Sequence, residues 1–397
     1  MTILAIALLL TPVALAVYAY ALYPAILWLV ATVRRAPAKP ADPEEWPEIT
    51  LTVPAYNEAR SIAGTLDALL AIDYPAHRRH VLVISDASTD GMDDIVRGYA
   101  DRGVELLRLP QRGGKSAAEN AAASRLRGDI VVNVDATIRL RHDSLKALVR
   151  TFADPSVGVA SGRDVSVAST ASATAAASAA PTGPGGEAAY AGFEMWMRDL
   201  ETRVDSIVGA SGCFYGIRRE IYDGAFPAAL SRDFASALMA KEHGFRAVSA
   251  TDAVCLVPRA TALSSELRRK TRTMARGLQT LWYKRHLMNP ARYGVFAFCL
   301  VSHKLARWMV YLAAPAAPIG LALLAISSPA ARVLLAASVV GVALGIVGIR
   351  WPRQRRMPIP IALSGFAVTV SVAGVLAWRE ALRGHRVAYW EPTRRPT

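Results

Sequence analysis

Cysteine is scarce in this chain of 397 residues: Cys213, Cys255 and Cys299 form no CxxC pair and no zinc-ligand spacing. Three dispersed thiols exclude a disulfide framework and read as buried free thiols in a reducing compartment. Residues 3–33 lack charge altogether, and the first charges after them are the pair Arg34-Arg35. A secretory signal would carry a basic start and a shorter apolar core. This run has neither, and it exceeds the roughly 20 residues that a bilayer requires, so it is expected to span one. No recognisable nucleic-acid module is present, so no nucleic acid is expected as a partner. Gln111-Arg-Gly-Gly-Lys115 also lacks the spacing of a nucleoside-triphosphate loop.

What is abundant is apolar surface and basic charge. The chain is 53% hydrophobic with a net charge of +14, too apolar for an ordinary soluble protein of that charge. The apolar excess lies at the two ends. The surplus bases lie in Arg34-Arg35, in residues 268–292 and 350–356, and from Arg379 onward, always beside apolar segments. That placement favours anionic lipid headgroups and, by the positive-inside rule, a cytoplasmic middle domain.

The middle reads as α/β. Strands are expected at 49–53, 81–84, 104–109 and 130–134, alternating with helices at 61–72, 92–99 and 116–126, the pattern of a parallel doubly wound sheet. Residues 166–186 are almost only Ala, Ser, Thr, Pro and Gly and read as a flexible insertion. A helix is expected at 187–204, a strand at 208–217, a helix from Asp233 to about 243 and a strand at 247–257. Residues 266–288 mix bases with Leu267, Met274, Leu278, Leu281 and Trp282, as a helix lying in a membrane surface does. His303, Lys304 and Arg307 make 293–311 a poor span, so spans are expected at 308–326, 333–349 and 358–378. Three such spans would put the basic tail outside, against the positive-inside rule; the tail is expected on the cytoplasmic side, with Pro358 and Pro360 opening a re-entrant or interfacial segment in place of the third span. The domains expected are thus an N-terminal transmembrane helix (1–35), a cytosolic α/β domain (42–263), interfacial helices (264–307), a transmembrane region (308–379) and a basic cytosolic tail (380–397).

Three carboxylates stand where a parallel sheet binds ligands, beyond the carboxyl ends of strands. Asp135 closes the apolar strand 130–134, where it can hold a metal or a sugar hydroxyl. Asp86 follows the neighbouring strand and opens a turn closed by Asp90-Gly91; turn and cap chemistry would also explain it. Two such carboxylates repel unless a cation or donors lie between them, and a divalent metal on a diphosphate meets that need. Asp233 is either a helix N-terminal acid or a general base for an attacking hydroxyl. Lys115 is either a surface residue or a phosphate contact. Arg269, Arg272 and Arg276 share a helix face and suit lipid headgroups or a leaving diphosphate.

Taken in order, Val53-Pro-Ala-Tyr-Asn-Glu58, Ser85-Asp-Ala-Ser-Thr-Asp-Gly91, Arg112-Gly-Gly-Lys115 with Asn120, Val134-Asp135-Ala136, Gly209-Ala-Ser-Gly212, Arg232-Asp-Phe234, Arg276-Gly-Leu-Gln279, Ser302-His-Lys304, Arg307-Trp308 and Trp390-Glu-Pro-Thr-Arg394 resemble the family 2 glycosyltransferases. The membrane-integrated branch, with its synthases of cellulose, hyaluronan and poly-N-acetylglucosamine, is most similar. The resemblance implies a GT-A fold between transmembrane helices and inverting transfer from a nucleotide-sugar, usually a UDP-sugar. By it, Pro54, Tyr56 and Glu58 line the nucleotide pocket, Asp86 holds the base or ribose, and Lys115 and Asp135 serve the diphosphate. Asp135 would bind Mg²⁺ or Mn²⁺, Asp233 would be the catalytic base, and Ser211 and Gly212 would border the acceptor.

The acceptor implied is a growing glycan, for a cell-surface polysaccharide, or a lipid-linked sugar at the bilayer. A multi-pass protein of the inner (plasma) membrane with a cytoplasmic catalytic domain follows, and a processive one with so few spans would need a homodimer or an export partner. Two departures stand out. Thr137 occupies the place of a second metal-binding acid, and residues 269–277 lack the tryptophan of the processive Gln-x-x-Arg-Trp motif. A catalytically silent membrane scaffold is the rival from another class.

Overall fold

The computed structural model describes residues 1–34, 40–167, 185–258, 263–352 and 357–384. Most of the Ala/Ser-rich insertion, part of the linker before the α/β domain and the tail from 385 lie outside the described residues. The chain divides into two compact units. One comprises Met1–Arg34, Gly183–Tyr190 and Ala260–His385, the other Arg35–Thr182, Ala191–Arg259 and Arg386–Thr397.

The second unit is built on eight strands: β1 (Ile49–Ala55), β2 (Arg79–Ser85), β3 (Val104–Arg108), β4 (Ile130–Val134), β5 (Arg139–Leu140), β6 (Val157–Val167), β7 (Phe214–Arg218) and β8 (Arg246–Pro258). They form one sheet in the order β3-β2-β1-β4-β7-β6-β8-β5. β3, β2, β1 and β4 run parallel as expected. The rest does not. β7 lies antiparallel to β4 and β6 antiparallel to β7, while β8 pairs parallel with β6 and antiparallel with β5. The sheet is therefore mixed, not the wholly parallel one expected. The expected strand at 208–217 begins only at Phe214, and Ser166 and Val167, assigned above to the insertion, close β6.

Both faces of the sheet are covered, which is why residues 81–84 of β2 read as an unbroken apolar run rather than an alternating one. In β2, Val81 and Val83 enter the core shared with Leu51, Val53 and Val132, whereas Leu82 and Ile84 enter the opposite core with Ala118, Tyr215 and Ala240. Helices Ala59–Leu70 and Met92–Arg97 serve the first core, and Lys115–Ala122 and Arg232–Glu242 the second.

The first unit is helical. Four helices are long and apolar enough to cross a membrane: Thr2–Val33, Pro290–Ala313, Pro329–Ile349 and Ile359–Leu382. The first, third and fourth lie where apolar spans were expected. The second runs through 293–311, read above as an interfacial segment, and the boundary drawn at 307/308 falls inside this one helix. The expected span 308–326 is interrupted after Ala313, leaving Ala316–Ala325 as a shorter apolar helix. The reason is where the polar groups point. Ser302, His303 and Arg307 are buried within the unit, the Ser302 hydroxyl bonds that of Tyr18 at 2.6 Å, and the Arg307 guanidinium lies 5.0 Å from the Tyr20 ring. Polar groups turned into a bundle do not disqualify a helix from facing lipid on its other side. The basic helix Leu263–Tyr283 packs its Ala275 and Leu278 with Ala377 of the last helix and leaves Trp282 exposed.

Candidate active site

The carboxyl ends of β1, β2 and β4 carry Tyr56, Asp86 and Asp135, and short polar ties join the loops that follow. Asn57, at φ 53°, takes a left-handed turn, receives the Thr89 amide on its Oδ1 at 2.8 Å and donates its own amide to the Ser88 hydroxyl. Asp90 accepts the Ala59 amide at 2.8 Å and the Met92 amide at 3.2 Å. Glu58 holds the Ser61 hydroxyl at 2.7 Å at the start of helix Ala59–Leu70. Pro54 lies in β1, paired in register with Ile84.

Asp86 is buried and grips the loop that precedes Lys115, its two oxygens accepting the Gly113 and Gly114 amides at 2.6 and 2.8 Å. This is more than a turn residue does. The grip fixes the start of helix Lys115–Ala122 and so the direction of Lys115. On the same loop, the Arg112 guanidinium lies 3.9 Å from the centre of the Tyr56 ring, a cation–π contact that joins the β1 loop to the Lys115 loop. Arg112 was legible only as part of its motif; nothing in its own spacing assigned it a place.

Lys115 is the hub. Its Nζ donates to Asp135 Oδ1 at 2.5 Å and to the Gly212 carbonyl at 2.6 Å. Burial alone would lower its pKa, but the carboxylates of Asp135, Glu119 and Asp233 raise it above the ordinary lysine value. Gly212 also faces Asp233, since a Cβ added there would stand 2.8 Å from Asp233 Oδ2. Only a residue without a side chain allows that approach. Asp233 opens helix Arg232–Glu242 and accepts the Ser231 hydroxyl on its other oxygen at 2.5 Å. Asp135 on Lys115 and Asp233 beside Gly212, about a hundred residues apart in sequence, are thus joined through the contact of Lys115 with the Gly212 carbonyl.

Ser211 takes part in a different set of contacts. Ser211 is fully buried, its hydroxyl donating to Asp164 Oδ1 at 2.6 Å and accepting the Cys213 amide at 3.1 Å. It therefore shapes the backbone beside Gly212. Asp164, on β6, also receives the Cys255 thiol at 3.0 Å; sequence reasoning missed it. All three cysteines are free, as expected, with Cys213 only partly buried. Arg269, Arg272 and Arg276 lie on helix Leu263–Tyr283, in the other unit.

Among the described residues no three His, Cys, Asp or Glu side chains cluster as metal ligands. Asp135 offers one carboxylate, 31% exposed, with Thr137 two residues on. That donor set does not fit a metal caged by protein. It does fit Mg²⁺ or Mn²⁺, which takes one or two carboxylates and completes its shell with water and phosphate oxygens.

A sheet of this order, with an anchored Gly-Gly-Lys loop and carboxylates beyond β2 and β4, defines a GT-A domain, the fold of nucleotide-sugar transferases. Residues 47–275 match the model of Glycosyltransferase like family 2, and the chain belongs to that family. An N-acetylglucosaminyltransferase of Rhizobium sp. (strain N33) is 34% identical over 122 residues, 30% of this chain and 27% of that protein. A beta-monoglucosyldiacylglycerol synthase of Synechocystis sp. is 33% identical over 122 residues, 30% and 26% of the two chains. The match thus spans about a quarter of the length of these curated relatives. A solved mannosyltransferase of Pyrobaculum calidifontis, in complex with GDP-Man and Mn²⁺, superposes at a TM-score of 0.73 with 25% identity, over 97% of this chain and 99% of that one.

Proposed function

We propose that the protein is an inverting glycosyltransferase that moves a sugar from a nucleotide-sugar, a UDP-sugar, to a hydroxyl of a glycan held at a membrane surface, in the synthesis of a cell-surface polysaccharide. The observation that carries this is the Lys115 bridge. One ammonium holds Asp135 and the Gly212 carbonyl, and Gly212 abuts Asp233. A general base and a diphosphate-binding carboxylate must flank the reacting carbon from two sides, and this bridge joins a candidate for each.

In this scheme Asp233 Oδ2 accepts the proton of the acceptor hydroxyl while that oxygen attacks the anomeric carbon from the face opposite the diphosphate. The bond from that carbon to the diphosphate oxygen breaks, and its electron pair leaves with the nucleotide. One displacement inverts the carbon and needs no covalent intermediate. Lys115 supplies a fixed positive charge for the leaving oxygens. A divalent cation held by Asp135 would add Lewis-acid stabilisation of the same diphosphate. Tyr56 and Arg112 offer a ring and a guanidinium to the nucleotide, and Asp86 keeps the loop between them in place. Arg269, Arg272 and Arg276 are assigned to lipid headgroups or the diphosphate.

The membrane part of the reading is supported by an inverted polarity. In the helical unit Trp28, Leu29, Val333, Val339 and Ile359 are exposed while His303 and Arg307 are buried. That is the arrangement a lipid solvent selects. The bilayer is therefore the proposed partner of the four apolar helices, and the cytoplasmic face of the plasma membrane the proposed location. Transfer of a single sugar to a lipid acceptor is the second reading, favoured by the missing tryptophan in residues 269–277.

The test is nucleotide release by the protein in lipid nanodiscs, across UDP- and GDP-sugars, with Mg²⁺, Mn²⁺ or chelator. Release with one donor, lost on chelation and reduced about 10²–10⁴-fold in Asp233→Asn, is expected. A product gel then separates polymer from single transfer. Release that is unchanged in Asp233→Asn, or absent with every donor and added membrane lipid, overturns the proposal.

A further inference from the structure

Helix Lys115–Ala122 buries a charge that this scheme does not use. Glu119 lies four residues beyond Lys115, on the same helix face, and is 1% exposed. Neither of its carboxylate oxygens accepts a hydrogen bond. Arg232, next to Asp233, is 2% exposed and brings its Nε to 3.6 Å from Glu119 Oε2, an ion pair without a hydrogen bond. Only Nη2 of that guanidinium is engaged, donating to Asn120 Oδ1 and to the Asp223 carbonyl, while Nε and Nη1 donate to nothing. The Tyr215 hydroxyl, from β7, is buried there with no partner as well. The Tyr222 ring lies 4.8 Å from the Arg232 guanidinium, and its hydroxyl donates to the Glu119 carbonyl at 2.8 Å.

Such a pair is a poor way to stabilise a fold. Desolvating two charges costs as much as their attraction returns, and apolar side chains of the same size serve as well or better. Buried polar atoms left without partners in a native structure call for a reason. The charges around Glu119 supply one. They are Lys115 on its own helix, Arg232 and Asp233 on helix Arg232–Glu242, and Asp135 beyond β4. These are the groups that join the two sides of the proposed site.

We propose that Glu119 is a positioning residue for transfer: its buried carboxylate draws the Lys115 ammonium and the Arg232 guanidinium inward. Through them it fixes Asp135 and the Gly212 carbonyl on one side and the first turn carrying Asp233 on the other. The proposal rests on the transferase reading above. Burial holds the Glu119 carboxyl up at about 6 against the pull of Lys115 and Arg232, with Asp233 and Asp135 adding to the rise, so its charge changes in the range where the enzyme would be assayed.

The experiment compares wild type with Glu119→Gln, which keeps the shape and removes the charge, and with the double variant Glu119→Leu/Arg232→Met, which replaces the pair by apolar atoms. Two readouts are taken in nanodiscs: acylation of Lys115 by N-hydroxysulfosuccinimide acetate, scored by mass spectrometry against Lys146 and Lys241, and kcat and donor KM across pH. An ammonium no longer drawn inward is more open to the reagent, so Lys115 labelling in Glu119→Gln should rise severalfold over the two control lysines. kcat should fall about tenfold or more, and the loss of rate on acidification near pH 6 should disappear. Unchanged labelling of Lys115, or an unchanged kcat and pH profile in Glu119→Gln, overturns the proposal. The double variant should fold as stably as wild type while kcat stays low; recovery of kcat with stability would make the pair merely structural. If wild type releases no nucleotide from any donor, the transferase reading fails, and the labelling still decides the role of Glu119.

Discussion

Gly212→Ala isolates one contact. A Cβ on Gly212 would stand 2.8 Å from Asp233 Oδ2 and 3.7 Å from its Cγ, where ordinary contact begins near 3.4 Å. The carboxylate must therefore retreat by about 0.6 Å, the difference between 3.4 and 2.8 Å. It is not free to swing, because its other oxygen holds the Ser231 hydroxyl at 2.5 Å. The Gly212 backbone is not in the left-handed region, so alanine meets no conformational strain and the fold should be kept. A misplacement of about 1 Å costs a rate up to about 10²-fold, so kcat should fall about 10- to 100-fold, or about 1.4–2.7 kcal/mol of transition-state stabilisation. Donor KM should move little, since the Gly212 carbonyl that anchors Lys115 is retained. The assay is steady-state nucleotide release with the donor found in the panel, beside a thermal melt. A wild-type kcat in a folded Gly212→Ala protein would refute the placement of the base at Asp233. A loss confined to donor KM would refute the division of the site into a base side and a diphosphate side.

Asp86→Ala removes the acceptor of two buried amides, at Gly113 and Gly114. It should lower stability by about 1–3 kcal/mol in a denaturant melt and raise donor KM through the loosened Lys115 loop. Glu119→Gln should change the pH dependence of stability. The folded pKa of about 6 lies above the ordinary 4.5, so the contribution of this carboxyl is complete below 4.5 and is lost as pH rises past 6. The variant should accordingly gain up to about 2 kcal/mol on wild type between pH 4.5 and pH 8, and a difference independent of pH would refute the burial argument. Lys115→Met should increase the affinity for Mn²⁺ alone in a calorimetric titration while lowering kcat. Unchanged metal affinity would refute a competition between the ammonium and the metal for Asp135.

How much of this was legible from the residues alone depends on where each signal lies. β1, β2 and β4 stand out because both faces of the sheet are covered, so every position from Val81 to Ile84 is apolar and fully buried. β6 does not stand out. Gly158, Ser161, Gly162, Arg163, Asp164 and Ser166 interrupt any apolar pattern in it, and its eleven residues are held as a strand by pairing with β7 and β8. The antiparallel half of the sheet is hidden for the same reason, since register against distant strands leaves no local mark. In the site, Asp86, Asp135 and Asp233 are legible because each opens a loop or a helix after a recognisable element. Glu119, Arg232 and Asp164 are not. Their burial is decided by contacts such as that of Arg232 with Asn120, 112 residues away. In the helical unit the burial of His303 and Arg307 is equally invisible in the sequence, and charge in an apolar run argues against a span only if the charge faces lipid.

Thr137 in place of a second acid and Lys115 bound to Asp135 belong to one arrangement. A lone carboxylate holds a divalent cation weakly, and here it already faces a lysine whose positive charge the surrounding carboxylates reinforce. Without a nucleotide, cation and ammonium compete for the same oxygen and repel each other. A diphosphate changes the balance, because its oxygens can complete the metal shell and accept from the ammonium at once. Lys115 would then exchange Asp135 for phosphate while keeping the Gly212 carbonyl, and so remain in register with Asp233. A second acid at position 137 would favour metal binding before donor; on the transferase proposal, its absence would leave metal and nucleotide to enter together. By this reasoning Mn²⁺ alone should bind the wild-type protein far more weakly than it binds in the presence of the nucleoside diphosphate. The reason that Lys115→Met narrows that gap is the removal of the competing cation, with no metal ligand added.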